Sequence, residues 1–409
     1  MLGTLCSFVL YVVYVGVFVL STFNVQLPTA LDFMRKPRLL TPGPTPVPES
    51  VMLQMAQPII HHRHAEFISL VERVNTNLQT LFCTAQPVLT LTSSGTGAAE
   101  AAITSLFSAS DKGVNINNGK FAERWGKMMK AFGMNAVDVP VEWGYAVGDD
   151  QLTATLKQHP DAQCVWLVHS ETSTGTYTNI KRMAEIIHAN SNALVCIDGI
   201  TSVGAHECRM DEWGLDVVIT GSQKGLMIPP GLAFVALSER AWKKAATATL
   251  PKFYFDLNKA RAAWDEHSTP WTPAVTLFAG LDPALQMIVS EGVENVWKRH
   301  TRLSEGMRAG IQALNLRLFS ASPSHAVTTV YLPENGKQFV NILKKEFGVT
   351  VIGGQDQLKD VVFRISHLGY YDEGDMLAAL GAIEQTLKHI GHRFDAGSGV
   401  AAAQRVFLQ

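Results

Sequence analysis

LDVVITGSQKGLMIPPGLAFV, residues 215–235, runs a short apolar segment, Val217, Val218 and Ile219, straight into a Gly-, Ser- and Pro-rich turn that carries one lysine, Lys224. A lysine at a strand end is ordinarily a solvated surface group. Between an apolar strand and a tight loop its amine is partly desolvated and its pKa falls, the condition Schiff-base chemistry needs. The chain holds 34 lysines and arginines, so Lys224 acquires meaning only from what is built around it.

Outward from this stretch the same pattern repeats. Residues 88–92, 113–117, 136–141, 165–168 and 194–197 read as strands, and periodic segments at 67–82, 98–107, 122–132, 151–157 and 182–189 as helices. Continuous apolar runs such as 165–168 mark parallel strands covered on both faces. The alternation predicts an α/β fold with a doubly wound, mostly parallel sheet, whose ligand lies beyond the carboxyl ends of the strands. Informative residues fall there: SSGTG at 93–97, NNGKF at 117–121, HSETSTG at 169–175, Asp198–Gly199 and GSQK at 221–224.

Beyond Pro251 the pattern changes. STPWTP at 268–273 reads as a rigid linker and 283–300 as one long helix bridging to a second unit. Helix at 303–314, strands at 326–332, 349–351 and 361–366, and helix at 373–390 then make a smaller α+β domain. The expected division is an apolar extension at 1–37, an N-terminal arm and large domain at 38–290, a small domain at 291–393, and a Gly- and Ala-rich flexible tail at 394–409.

With 47% apolar residues, a formal charge of −2 and a pI near 6.7, the 409-residue chain can bury a large core and has no electrostatic footprint for nucleic acid. Small-molecule chemistry is favoured. Five scattered cysteines without a CxxC pair argue against a disulfide framework or zinc and for a reducing, cytoplasmic setting. Three histidines, His61, His62 and His64, fit no common metal site, so no metal is expected.

Residues 5–20, LCSFVLYVVYVGVFVL, do not fit a cytoplasmic enzyme. They approach the roughly 17 to 25 residues that span a bilayer. A membrane anchor and translation from upstream of a start near Met34 are the two readings left open; a signal peptide is disfavoured, because no A-x-A-like site follows.

A lysine, an aspartate on the neighbouring strand end, a phosphate cup, an aromatic and several hydroxyls together make the set that pyridoxal 5'-phosphate requires. Its aldehyde meets the lysine, a carboxylate keeps its ring nitrogen protonated, an aromatic stacks on the ring, and hydroxyls bond its phenolate oxygen. Asp198, Phe121 and Thr172 suit these places. The SSGTG turn has the freed amides and hydroxyls that hold a phosphate, but lacks the spacings of dinucleotide and P-loop sites. Taken singly each has a plainer reading: Asp198 as a turn cap, Phe121 as core, Thr172 as turn chemistry, SSGTG as an ordinary strand-to-helix turn.

LDVVITGSQK with Gly231 downstream resembles the lysine signature of class V aminotransferases, fold type I. The arm LLTPGPTPVPES at 39–50, the turn at Ser94, Gly95, Thr96 and Gly97, HSETSTG, and VVFRIS at 361–366 resemble the alanine–glyoxylate and serine–pyruvate aminotransferase branch. The likeness runs from about 38 to 392. It implies that Lys224 is the Schiff-base lysine and the base that moves the substrate proton, and that Asp198 pairs with the pyridine nitrogen. Thr172 would bond the ring hydroxyl, Phe121 would stack on the ring, and Ser94, Thr96, Gly97 and Gln223 would form the phosphate cup. Arg364 would clamp the substrate carboxylate, and Thr272 would reach the phosphate of the partner subunit, which implies a homodimer with shared sites. One departure stands out: Ala98 occupies a place where several relatives carry His.

The resemblance implies a ping-pong transaminase acting on alanine, serine or aspartate with a 2-oxo acid such as glyoxylate or pyruvate. Two alternatives stay open, a 2-aminoethylphosphonate-type transaminase and a non-catalytic interaction subunit on the same scaffold. A cysteine desulfurase is disfavoured, because no cysteine follows Cys208.

Overall fold

In the strand Cys164–Val168, Val165 and Leu167 pack into one apolar core while Cys164, Trp166 and Val168 pack into another, and all five are buried. Alternate side chains of a strand point to opposite faces, so a run apolar at every position needs cover on both. Leu194–Asp198 and Val217–Gly221 are buried along their whole length as well. The computed structural model describes residues 35–409. The apolar stretch 5–20, with the anchor and start-site readings attached to it, lies outside the described residues. Among the described residues no helix is long and apolar enough to cross a membrane.

Across the central seven-stranded sheet the order is Val88–Ser93, Gly231–Leu237, Val217–Gly221, Leu194–Asp198, Cys164–Val168, Lys112–Asn117 and Asn135–Pro140. Neighbours pair in parallel except Gly231–Leu237, which runs antiparallel to both strands beside it. The strand Val217–Gly221 turns back through the Lys224 loop and returns as Gly231–Leu237, with Ala233 opposite Gly221. The return strand lies outside the predicted pattern.

Helices at Ala65–Phe82, Gly95–Leu106, Lys120–Ala131, Asp149–Gln158 and Ile180–Asn190 occupy the predicted places. The helix expected at 283–300 is instead two. Val275–Glu291 carries Pro283 in its interior, and Val293–Ala313 follows after Gly292, whose φ of +86° is open to glycine and ends the first helix. Arg73 pairs with Asp282 beside that proline at 2.7 Å.

A three-stranded antiparallel sheet, Val327–Tyr331, Val362–Ser366 and Ile352–Gly353 in that spatial order, has its own apolar core built with Leu303, Met307, Ile311 and Ile383. Leu40 of the arm joins this core. The arm backbone pairs with Val349–Thr350, and Leu40 accepts a bond from the Ser366 N–H at 2.9 Å. Residues 394–409, expected to fray, include the helix Ser398–Phe407. Its N-terminus is held by the Glu384 carboxylate, which accepts from the N–H groups of Gly397, Gly399 and Val400 at 2.7–3.2 Å. A Cβ on Gly306 would sit 2.3 Å from the Phe407 ring, so glycine there lets this helix lie close on Val293–Ala313.

Candidate active site

Lys224 enters its cleft from a loop fixed on both sides. The Ser222 hydroxyl donates to the Pro229 carbonyl at 2.7 Å and accepts from the Leu232 N–H at 3.2 Å, closing the turn. The arm crosses over it: the Thr45 N–H reaches the Gln223 carbonyl at 3.2 Å and the Thr45 hydroxyl the Lys224 carbonyl at 3.0 Å. The Lys224 amine donates to the Pro42 carbonyl. Lys224 is 8% exposed, and burial, with the Arg364 guanidinium second, brings its pKa down to about 8.

Asp198, at the end of the neighbouring strand and 6% exposed, lines the same cleft. The Ile200 N–H donates to its Oδ1 at 2.9 Å and the Trp125 indole N–H to its Oδ2 at 3.0 Å. Burial raises its pKa to about 6 against the pull of those two donors. An amine whose charge is disfavoured and a carboxyl whose pKa is brought up toward neutral pH, though still below it, stand in one cleft, groups placed to hold or move a proton.

The cleft encloses about 310 Å³ and brings Ser94, Thr96, Phe121, Thr172, Asp198, Gln223 and Lys224 together. A larger cavity of about 740 Å³ lies between Tyr177, His206 and the helix Val293–Ala313. It holds no lysine–aspartate pair of this kind, so the chemistry belongs to the smaller one.

Gly97 does not line the cleft; a Cβ there would fall 1.9 Å from the Ser93 hydroxyl oxygen. Arg364 approaches from behind, donating to the Thr172 carbonyl at 3.1 Å and the Gly353 carbonyl at 2.9 Å. It is 2% exposed and bonded to carbonyls rather than to a carboxylate, and burial lowers its pKa to about 10. Its guanidinium is not among the groups that line the cleft. Thr272 is exposed and away from the cleft.

Three residues of the site had no role predicted from sequence. Glu171, fully buried, accepts from the N–H groups of Phe121 and Ala122 at 3.1 and 2.9 Å and from the Ser173 hydroxyl at 2.6 Å. It thereby pins the helix start that carries Phe121. Thr201 shares a 2.6 Å hydrogen bond with Thr172. Trp125 is the third. The HSETSTG motif pointed at Glu171 by position; nothing local pointed at Trp125, whose partner is 73 residues away.

Residues 39–397 match the family described as Aminotransferase class-V, and the chain belongs to that family. A "Soluble hydrogenase, small subunit" of Synechococcus sp. is 44% identical over 91% of this chain and 98% of its own length. An L-aspartate–glyoxylate aminotransferase of Paracoccus denitrificans is 34% identical over 91% of this chain and 96% of its own. Among solved structures, the ureidoglycine–glyoxylate aminotransferase of Bacillus subtilis superposes with a TM-score of 0.87 at 26% identity, covering 92% of this chain and 99% of that one. The fold is that of fold type I aminotransferases, and the protein is an aminotransferase.

The family implies pyridoxal phosphate, and the cleft has the features it needs. Ser94 caps the helix Gly95–Leu106 without a side-chain bond, leaving the first N–H groups, those of Gly95 and Thr96, for an acceptor from outside. A Cβ on Gly221 would lie 3.1 Å from the Gln223 Oε1 and 3.6 Å from the Gly95 nitrogen, so the Gln223 amide sits beside the helix start; its NH2 group, a donor, is the part that a phosphate would take.

Proposed function

We propose that this chain moves an amino group from a small amino acid (alanine, serine or aspartate) to a 2-oxo acid such as glyoxylate or pyruvate in a ping-pong cycle dependent on pyridoxal phosphate. The observation that carries the reading is the burial of the Lys224 amine and the Asp198 carboxyl in one cleft, with the Arg364 guanidinium behind it. When bound, the cofactor supplies an electrophilic carbonyl and a ring that accepts electrons. Asp198 holds the ring nitrogen, Thr172 the ring hydroxyl, and Phe121 covers one ring face. Thr96, Ser94, Gln223 and the backbone N–H groups of Gly95 and Thr96 hold the phosphate, Arg364 the substrate carboxylate. Lys224, a large fraction of it neutral near pH 8, takes the proton from the substrate carbon and returns it. The active form is a homodimer in which the partner subunit contributes Thr272. Free thiols at Cys83, Cys164, Cys196 and Cys208 suit a reducing, cytoplasmic setting.

A non-catalytic scaffold would gain nothing from these groups, since burying an unpaired charge costs stability. Lys224→Ala is expected to lower turnover at least about 10²-fold, the scale of general-base catalysis, and to abolish cofactor trapping at this residue by borohydride. Retained turnover would sink the mechanism. Alanine, serine, aspartate and 2-aminoethylphosphonate, each tested with glyoxylate, rank the donors; turnover with the phosphonate alone would replace this reading with the phosphonate one.

A further inference from the structure

Trp125 is 1% exposed on the helix Lys120–Ala131, one turn after Phe121 and on the same side. Its ring lies flat on that of Trp166, with centroids 3.8 Å apart and planes 16° from parallel. Trp166 sits in the strand Cys164–Val168, opposite Cys196 of the strand that ends in Asp198. The stacking therefore fixes the indole edge relative to Asp198, and the N–H meets Oδ2 at 3.0 Å.

A carboxylate offers about four lone-pair directions. Ile200 takes one on Oδ1 and Trp125 one on Oδ2, which fixes the carboxyl plane and leaves the remaining directions for the cleft. Buried without a cation bonded to it, this carboxyl would otherwise take up a proton, and a neutral carboxyl is a poor partner for a protonated ring nitrogen. Each neutral donor favours the anion.

We propose that Trp125 is a positioning residue that holds Asp198 oriented and anionic toward the cofactor's ring nitrogen, an assignment that rests on the function proposed above. The plainer account makes Trp125 only a core aromatic, and the two differ in what a change confined to the N–H does. Trp125→Phe keeps a ring on Trp166 and removes the donor.

The test measures the affinity of cofactor-free wild type, W125F, D198N and the double variant for pyridoxal phosphate and for an analogue with C–H in place of the ring nitrogen. W125F is expected to bind pyridoxal phosphate about 10-fold more weakly, the scale of one hydrogen bond to a charged group, and the analogue as wild type does. In the D198N background it should cost nothing further. Equal weakening toward both ligands, or full additivity with D198N, overturns the proposal. If D198N binds pyridoxal phosphate as well as wild type, the Asp198 assignment falls and takes the proposal with it; loss in D198N with none in W125F removes Trp125 alone. A wild-type measurement covers the case in which W125F does not fold. Of the indole N–H resonances of the eight tryptophans, one should follow a pH titration of the cofactor-free protein and stop doing so in D198N. No such resonance would also overturn it.

Discussion

Lys224 carries its charge at a cost that pH can reveal. The unfolded chain keeps this proton up to about pH 10.5, whereas the folded chain releases it near 8. Between those values the unfolded state binds more protons, so stability rises with pH across the window and the penalty is complete below it. The separation corresponds to something on the order of 3 kcal/mol. Lys224→Met removes the ammonium and keeps the apolar stem. In cofactor-free protein, urea denaturation should find K224M more stable than wild type at pH 7, with the advantage shrinking toward pH 10. A difference independent of pH would mean that the amine is solvated. This residue was legible in the sequence because its surroundings are local, a strand before it and a loop after. Trp125 was not, because it acts on a residue brought near only by the fold; Glu171 is marked by its place in HSETSTG, but its hold on Phe121 and Ala122 also comes from the fold.

At the scale of elements, the arm at 37–48 closes the cleft. Gly43 has φ +125°, and a Cβ there would lie 2.5 Å from Lys224 Cε and 2.6 Å from its Nζ. Gly43→Ala therefore meets backbone strain and a clash with the reactive amine together. It should abolish turnover and weaken cofactor uptake while lowering unfolding free energy by about 1–3 kcal/mol; turnover within twofold of wild type would show that the arm yields easily. The prolines made the arm readable as extended, but where it docks depends on Leu40 and Thr45 meeting residues about 180 or more positions away. Continuous apolar runs gave the parallel strands for the same reason that they are buried on both faces. The return strand Gly231–Leu237 escaped notice because its hairpin loop, 222–230, is long and lacks a two-residue turn signal. The C-terminal helix escaped because its order comes from Glu384 on another helix.

For the whole molecule, Thr272 is the proposed site residue that lies outside the cleft of its own chain. Thr272 is exposed beside an aromatic patch in which Phe253 is 70% and Tyr254 44% exposed and both stack on Trp271, while Met52, Leu53 and Ile59 stand exposed on another stretch. Apolar groups left bare on this scale favour association, most commonly as a two-fold dimer. If each site takes Lys224 from one subunit and Thr272 from the other, two damaged chains can repair one site between them. Thr272→Asp would place an anion against the cofactor phosphate, so at limiting cofactor T272D alone should be inactive, as K224A should be at any cofactor concentration. In a K224A/T272D mixed dimer, one site carries both lesions and the other neither. Random pairing makes about half of all dimers mixed, so co-refolding equal amounts should restore about a quarter of wild-type activity. Sedimentation tests for the dimer independently, and a monomer at assay concentration would overturn the shared site. No recovery from the mixture, together with unimpaired cofactor binding by T272D, would place the complete site within a single chain.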